Sequence, residues 1–350
     1  MITDPTQITP DWITGRLRAN GHLPTGRARR VTLGEPFEST AAFWTPLDVE
    51  YDGANDDAPH RLLYKLYREA WYGGGVHETV FYSDFVAEMT DPPVGVCYDF
   101  AYDDATKQCY VLLQDISATH DPPGEDMVAD DYHAATHSLL AFHAHWWEHD
   151  RLAAPRFMSA HGGPLRMANA CSVANVRANS EHWREAALPA FLAEHADQLP
   201  AGGRDTLERA VTLWPDLFGD RIADGRALTF LHGDAHVHNM FFPRDRNAEK
   251  VLLVDWETYK RGIGAYDIAY MLLFFRSVEL RRELEQTVLP LYYDGLVAGG
   301  VDSYSRDEFA RDYRLAISAC LFPPIAWSSH GGVALALQAF EDWGCAELLR

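Results

Sequence analysis

The sequence predicts an α+β protein with a small N-terminal part built on an antiparallel sheet and a larger, mainly helical C-terminal part. Short apolar segments typical of strands lie before residue 113, whereas apolar residues recur at helical spacing after about residue 130. Between the two, Asp121-Pro122-Pro123-Gly124 interrupts regular structure. We therefore predict an N-terminal lobe at 1–113, a linker at 114–126 and a C-terminal lobe at 127–350.

The N-terminal lobe is predicted to contain one helix and five strands. The helix is expected from about Gly75 to Met89, directly after the flexible Gly73-Gly74-Gly75 turn. The strands are expected at residues 30–33, 41–51, 61–67, 94–101 and 108–113.

The C-terminal lobe is predicted to be mostly helical, and Ser305-x-x-Glu308 fits a capping box that opens one of its helices. Two short apolar runs, 227–231 and 251–254, are instead typical of strands. They place Asp234 just after one strand and Asp255 at the end of another. The helices are expected at residues 130–150, 170–198, 204–219, 265–298, 305–320 and 331–348.

The 350-residue chain carries 51 acidic and 30 basic residues, for a formal net charge of −21. Nucleic acids and anionic membranes attract proteins through basic patches, so the charge argues against both as partners. An acidic surface is compatible with a cationic substrate, and equally with plain solubility or salt adaptation. The sequence leaves open whether the protein is a monomer or a dimer.

The sequence indicates a cytoplasmic protein. It has no apolar run near 18 residues, and its start lacks the basic and apolar regions of a signal peptide. The cysteines are scattered and form no C-x-x-C, so we expect reduced thiols, no disulfides and no structural zinc. They are Cys97, Cys109, Cys171, Cys320 and Cys345.

The segment from Leu231 to Asn239 has the layout of a kinase catalytic loop, because Asp234 and Asn239 show the D-x-x-x-x-N spacing. A carboxylate can accept the proton of a substrate hydroxyl, which makes Asp234 the candidate general base. Mg²⁺ prefers hard oxygen ligands, and the Asn239 amide and the Asp255 carboxylate supply them. The pattern predicts ATP-dependent phosphoryl transfer.

A different interpretation of this loop is a metal-dependent hydrolase, since His232, Asp234, His236 and His238 alternate like metal ligands. It leaves the lysine and glutamate described next unexplained. A second group of histidines, between His133 and His149, lies in an apolar helical stretch without the glutamate of H-E-x-x-H. Packing or surface roles are therefore expected for that group.

Lys65 lies on the predicted strand 61–67 and is one of four lysines in the chain. A lysine on such a strand can pair with the α- and β-phosphates of ATP if a glutamate from the next helix holds it. Glu78, in the predicted helix, is well placed for this.

Together these segments resemble the aminoglycoside phosphotransferase and choline kinase superfamily, closest to its ecdysteroid-kinase-like branch. The resemblance implies a two-lobed protein-kinase-like fold with an N-terminal nucleotide-binding lobe and a C-terminal lobe for catalysis and acceptor binding. The residues that carry it are Lys65, Glu78-x-x-Phe81-Tyr82, 110–116, 139–144, 232–239, 255–257 and 262–269.

The resemblance also implies roles for single residues. Asp234 would be the general base, Asn239 and Asp255 the Mg²⁺ ligands, and Lys65 an ATP-phosphate contact oriented by Glu78. His232 would hold the loop in shape, and Asp267 would be a structural acid behind the site.

A hinge at 110–116, which includes Gln114 and Ile116, would meet the adenine through its backbone. Gln114 stands where the superfamily often has glutamate. The loop at 33–40 holds one glycine and no G-x-G-x-x-G, which leaves backbone amides or the hydroxyls of Ser39 and Thr40 to reach phosphate.

The expected function is that of an ATP- and Mg²⁺-dependent kinase that phosphorylates a hydroxyl of a small molecule. The acceptor alcohol would be an aminoglycoside or other amino sugar, an amino alcohol or a steroid-like alcohol. The alternative is a pseudokinase that binds nucleotide or a small ligand without transferring phosphate.

Overall fold

The computed structural model describes residues 1–153, 172–246, 249–274 and 276–350, and the chain divides into two compact units. The first unit comprises Met1–Asp121 and Pro243–Glu257, and the second comprises Pro122–Phe242 and Thr258–Arg350. The predicted C-terminal lobe at 127–350 includes Pro243–Glu257, which the structure instead assigns to the first unit. The reason is local, because Trp256 and Glu257 contact the helix that carries Glu78.

The first unit is built on a six-stranded antiparallel sheet with the order β1-β3-β4-β6-β5, in which β2 also pairs with β3. In this sheet Lys65 on β4 lies opposite Trp44 on β3 and Val111 on β6. The strands are β1 Arg27–Leu33, β2 Phe37–Glu38, β3 Ala42–Asp52, β4 Arg61–Tyr67, β5 Cys97–Asp103 and β6 Gln108–Gln114. Two further short strands of this unit are β7 His120–Asp121 and β10 Leu252–Leu253.

Two helices accompany this sheet. Helix α1 spans Pro10–Ala19 and was not predicted, although Thr9 caps it and Pro10 occupies its first turn. Its fully buried Ile13 and Leu17 join the apolar cluster on one face of the sheet. Helix α2 spans Tyr72–Val80 and continues as a π turn and a short 3₁₀ turn to Glu88, so the segment predicted as one helix contains three helical geometries.

The second unit is mainly helical. Its helices are α3 Ala129–His145, α4 Val173–His182, α5 Leu188–His195, α6 Gly203–Ile222, α7 Ala265–Leu273, α8 Val278–Ala298, α9 Arg306–Ala319, α10 Phe322–Ala326 and α11 His330–Asp342. The capping box predicted at Ser305 and Glu308 is confirmed. The single helix predicted at 265–298 is wrong, because Ser277 caps a new helix there through the backbone N–H of Leu280. Residues 170 and 171, the start of another predicted helix, lie outside the described residues.

Three short strands complete the second unit: β8 Thr229–Leu231, β9 Met240–Pro243, whose last residue belongs to the first unit, and β11 Lys260–Gly262. Strands β8 and β11 pair antiparallel, with Leu231 opposite Lys260. The segment that follows β8 and begins with His232 therefore starts close to the residues that connect β11 to α7.

The α+β fold class predicted from the sequence is confirmed, with an antiparallel sheet in the first unit and a larger set of helices in the second. In the described part of the chain, no helix is both long enough and apolar enough to cross a membrane. Cys97, Cys109, Cys320 and Cys345 are free thiols, and Cys171 lies outside the described residues.

Candidate active site

Lys65 lies at the centre of an ionic cluster in the first unit. Its Nζ is 3.0 Å from Glu78 Oε2 and 2.8 Å from Asp255 Oδ1, and the side chain is 1% exposed. The rings of Trp44 and Tyr67 flank the ammonium at 4.8 Å and 4.6 Å. Burial alone would lower the pKa of Lys65, but Asp255 and Glu78 raise it above its ordinary value, so the lysine is charged.

Glu78 is fixed by hydrogen bonds on both of its oxygens. Besides Lys65, the Tyr67 hydroxyl donates to Oε2 at 2.6 Å, and the backbone N–H of Trp256 donates to Oε1 at 3.3 Å. The Trp256 ring stacks on Phe81 with centroids 4.0 Å apart. The structure thus brings together the predicted Lys65–Glu78 pair, whose contact with ATP stays a prediction.

Asp255 adds a negative charge that Lys65, already paired with Glu78, does not balance, and Glu257 adds a buried carboxyl nearby. Asp255 has a φ of +67°, a left-handed conformation that aspartate adopts more readily than most residues, and its side chain is 35% exposed. Glu257 is buried, and its Oε2 has no hydrogen-bond partner within the described ranges. Burial, and then the charges of Asp255 and Glu78, raise the pKa of Glu257 to about 8.

This donor set fits a magnesium ion, because Mg²⁺ is bound through one or two carboxylates together with waters and phosphate oxygens. An accessible Asp255 carboxylate in a surplus of negative charge meets that requirement. In the described residues, no group of three or more His, Cys, Asp or Glu side chains is placed to hold a metal ion by itself.

Glu257 should make the stability of the protein depend on pH in magnesium-free buffer. Its pKa is raised from the ordinary 4.5 to about 8, so between these values the folded chain holds a proton that the unfolded chain releases. The free energy of unfolding should therefore fall by a few kcal/mol as the pH rises through this window. Glu257→Gln, neutral at every pH, should flatten that slope in denaturant unfolding; a slope equal to that of the wild type would contradict the raised pKa.

In the second unit, Asp267 on α7 holds the backbone of the loop predicted to be catalytic. Its carboxylate accepts hydrogen bonds from the N–H groups of His232 at 2.6 Å and Gly233 at 3.0 Å, and from His143 Nε2 at 3.2 Å. Asp267 is fully buried, and His143 holds its pKa below the ordinary value although burial acts in the opposite direction. Gly233 has a φ of +85°, and a Cβ there would lie 2.4 Å from the carbonyl oxygen of Thr258, so this turn requires glycine.

Asp234, the candidate base, follows this turn with 18% of its side chain exposed. Tyr270 donates a hydrogen bond to its Oδ1 at 2.6 Å, and Asn239 Nδ2 lies 3.0 Å from its carbonyl oxygen and 3.3 Å from Oδ2. His236 Nε2 lies 3.5 Å from Oδ2. Burial raises the pKa of Asp234, but His236 and Tyr270 outweigh it and hold the carboxyl below its ordinary pKa.

The hydrogen bonds of Asn239 identify which of its atoms is available to a cation. Both of its partners on Asp234 are oxygen acceptors, so the atom that faces them is the amide nitrogen. The amide oxygen is then the atom that would bind Mg²⁺. Asn239 lies in the second unit and Asp255 in the first, so their joint role as ligands stays a prediction.

The other sequence-predicted residues make local contacts. His232 Nδ1 accepts from the backbone N–H of Asp234 at 3.3 Å, in keeping with a supporting role. Gln114 Oε1 accepts from the N–H of Val96 at 3.2 Å, and Ile116 begins a short 3₁₀ turn. Ser39 Oγ lies within hydrogen-bond distance of Ala42 and of Trp44 Nε1, inside its own loop.

Two residues of this site were missed by the sequence interpretation. Tyr270 lies one helical turn after Asp267, and the D-x-x-Y spacing on α7 was the available signal. His143 was expected to have a packing or surface role, but it is fully buried and bonded to both Asp267 and the Tyr292 hydroxyl.

The buried Lys65–Glu78 pair and the Asp234–Asn239 loop are described features that carry the resemblance predicted from the sequence. Residues 150–300 match the Ecdysteroid kinase-like family. The match bears out the predicted likeness to the ecdysteroid-kinase-like branch over these residues, which make up less than half of the chain.

Among curated proteins, a 94-residue stretch is 33% identical to the Caenorhabditis elegans protein "Uncharacterized oxidoreductase dhs-27". The match covers 24% of this chain and 12% of the length of that protein, so it concerns a small part of it.

Several solved structures are similar to this chain over most of its length. A microcompartment-associated aminopropanol kinase has 14% identity over 97% of this chain and 99% of its own, with a TM-score of 0.46. A type VIII aminoglycoside-3'-phosphotransferase has 18% identity over 87% and 98%, also at 0.46. A Streptomyces rimosus aminoglycoside phosphotransferase, solved with ADP and streptomycin, has 16% identity over 84% and 92%, at 0.48. At these TM-scores the likeness supports no further conclusion about this chain.

Proposed function

We propose that the protein is an ATP- and Mg²⁺-dependent kinase that transfers the γ-phosphoryl group to a hydroxyl of a small molecule. The observation that carries the proposal is the buried Lys65, held by Glu78 and Asp255. A buried ion pair is a poor way to gain stability, since desolvation cancels much of the attraction. A function that needs a positioned cation and a positioned carboxylate accounts for the arrangement better.

In the proposed reaction Lys65 would contact the α- and β-phosphates, and Asn239 and Asp255 would hold Mg²⁺, which would neutralise charge on the phosphates. The acceptor oxygen attacks the γ-phosphorus, and the bond from phosphorus to the β-phosphate oxygen breaks, which releases ADP. Asp234 takes the proton of the acceptor hydroxyl. The matched family and the intact set of these residues favour this function over the pseudokinase.

For the acceptor, a cavity of about 660 Å³ in the second unit supports a bulky, mainly apolar alcohol, such as the steroid-like class. Trp183, Phe191 and Ile325 line it, and Glu194 is the one carboxylate among the described lining residues. A polycationic amino sugar would need several acidic groups. Tyr313 and Trp343 donate hydrogen bonds to the buried Glu285 and do not line this cavity.

Trp327 contacts Tyr270, the residue that is bonded to the candidate base. In the chain it stands between two residues that line the cavity, Ala326 and Ser328, and the residue is 41% exposed. The ring lies edge-on to Tyr270 with centroids 6.2 Å apart, and the Tyr270 hydroxyl binds Asp234.

The test is an ATP-consumption screen with Mg²⁺ over aminoglycosides, amino alcohols, sugars and sterols, with Asp255→Ala as the blank. The expected result is a sterol-class acceptor that gains the mass of one phosphoryl group with the wild type only. A hit among aminoglycosides alone would overturn the acceptor class and leave the kinase. Nucleotide-dependent thermal shifts without any turnover would favour the pseudokinase. We also propose that the protein is cytoplasmic and that it binds neither nucleic acids nor membranes.

A further inference from the structure

Tyr270 is a buried tyrosine whose hydroxyl donates to one specific oxygen of the candidate base. The distance from its Oη to Asp234 Oδ1 is 2.6 Å. Asn239 Nδ2 and His236 Nε2 approach the other oxygen, Oδ2, at the longer distances of 3.3 Å and 3.5 Å. The two carboxylate oxygens are therefore not equivalent, since the contact of Oδ1 with Tyr270 is the shortest of these three.

The ring of Tyr270 is held in place on several sides. It contacts Phe274 with centroids 4.8 Å apart, Trp327 at 6.2 Å and His236 at 6.4 Å, and it is fully buried. A hydroxyl on a ring fixed in this way has little freedom to leave its acceptor.

Helix α7 also carries Asp267, three residues before Tyr270 and on the same side of the helix. Asp267 holds the backbone of the loop through the N–H groups of His232 and Gly233, and Tyr270 holds the side chain of Asp234. A single helix thus sets both the position of the loop and the rotamer of its carboxylate.

We propose that Tyr270 is a positioning residue for phosphoryl transfer, which fixes the Asp234 carboxylate so that Oδ2 receives the proton of the acceptor. This inference rests on the proposed function. In the step, the acceptor O–H bond breaks, the new O–P bond forms, and the proton moves to Oδ2 while Tyr270 keeps its own. Burial and the charge of Asp234 raise the pKa of Tyr270 well above its ordinary value, in keeping with a permanent donor.

The first experiment compares Mg²⁺-dependent ATP hydrolysis, in which water takes the place of the acceptor, between the wild type and Tyr270→Phe. This change removes the hydroxyl and keeps the ring. We expect kcat to fall on the order of tenfold, with KM for ATP unchanged within about twofold, because a hydrogen bond to a charged group is lost only at the base. Tyr304→Phe is the matched control, since Tyr304 donates to buried Asp312 at 2.8 Å in the same unit; its kcat should stay that of the wild type.

The second experiment is a double-mutant cycle of Tyr270→Phe and Asp234→Ala, read from unfolding midpoints. The two shifts should not add, because each single change already removes the same hydrogen bond. Additive shifts, or an unchanged kcat in Tyr270→Phe, overturn the inference. The proposed function is overturned instead if the wild type hydrolyses ATP no faster than Asp234→Ala and phosphorylates no acceptor in the screen. In that case, non-additive unfolding midpoints would show that the contact between Tyr270 and Asp234 has structural value only.

Discussion

Asp234→Asn is expected to lower kcat on the order of 10³-fold, the usual contribution of a general base, while nucleotide binding is retained. Asparagine has the shape of aspartate and can still accept from Tyr270, but it cannot take a proton from the acceptor. Of the candidate nucleotide contacts, Lys65 and Glu78 belong to the first unit and are untouched by the change. Turnover and ATP-dependent thermal shifts, measured on the same preparations, separate the two effects.

Asp302→Asn provides the control for this change, because Asp302 is exposed in the same unit and outside the proposed site. It removes the same charge and should leave turnover and thermal stability unchanged. Turnover of Asp234→Asn within about tenfold of the wild type would rule out Asp234 as the base, since even a modest general base contributes more than that.

Lys65→Met is expected to cost about 3 kcal/mol or more of unfolding free energy and to abolish turnover. Methionine fills similar space between Trp44 and Tyr67, so the loss is one of charge rather than volume. Without the ammonium, Glu78 is left as a carboxylate that is 1% exposed and has no compensating cation, and breaking a buried ion pair from one side costs 3–5 kcal/mol. Denaturant unfolding gives the stability, and nucleotide-dependent thermal shifts give the binding.

Lys107→Met is the matched control, because Lys107 is 51% exposed and its ion pair with Asp104, at 3.9 Å, is of a kind that contributes little. Lys65→Arg keeps the charge but not the shape, so it should be more stable than Lys65→Met and still impaired in turnover. If Lys65→Met unfolds at the same denaturant concentration as the wild type, loss of the ammonium does not destabilise the protein, which contradicts the expected cost.

The sheet of the first unit was predictable because its strands alternate and end at clear turn residues. Strand 61–67 was placed to the residue, and the others were shifted by one to three residues at their ends. Helix α1 was missed although Thr9, Pro10 and the Ile13–Leu17 spacing were visible, because a short N-terminal helix has too few apolar residues to be separated from irregular chain. The break between α7 and α8 was missed because apolar residues continue through it, and Ser277 is the one local sign of a new helix.

Candidate site residues that belong to a sequence motif could be predicted. Residues that reach the site only through the packing of the fold could not. Asp234 and Asn239 were predicted from their D-x-x-x-x-N spacing, and Asp255 from its place at the end of a predicted strand. Tyr270 and His143 carry no motif of their own, and their partners were known only once α7 and α3 were placed beside the loop. Glu257 belonged to a recognised segment, but its unpaired buried oxygen is a property of the fold and not of the sequence pattern.

The burial of Lys65 has a consequence for chemical labelling of the protein. Of the four lysines, Lys65 and Lys260 are 1% and 0% exposed, whereas Lys107 and Lys250 are 51% and 35% exposed. Acylating reagents react with amines that are accessible and deprotonated, so they should modify the two exposed lysines long before the two buried ones. Slow acylation of Lys65, followed by mass spectrometry, would therefore report how often the first unit opens locally, without any substrate or nucleotide.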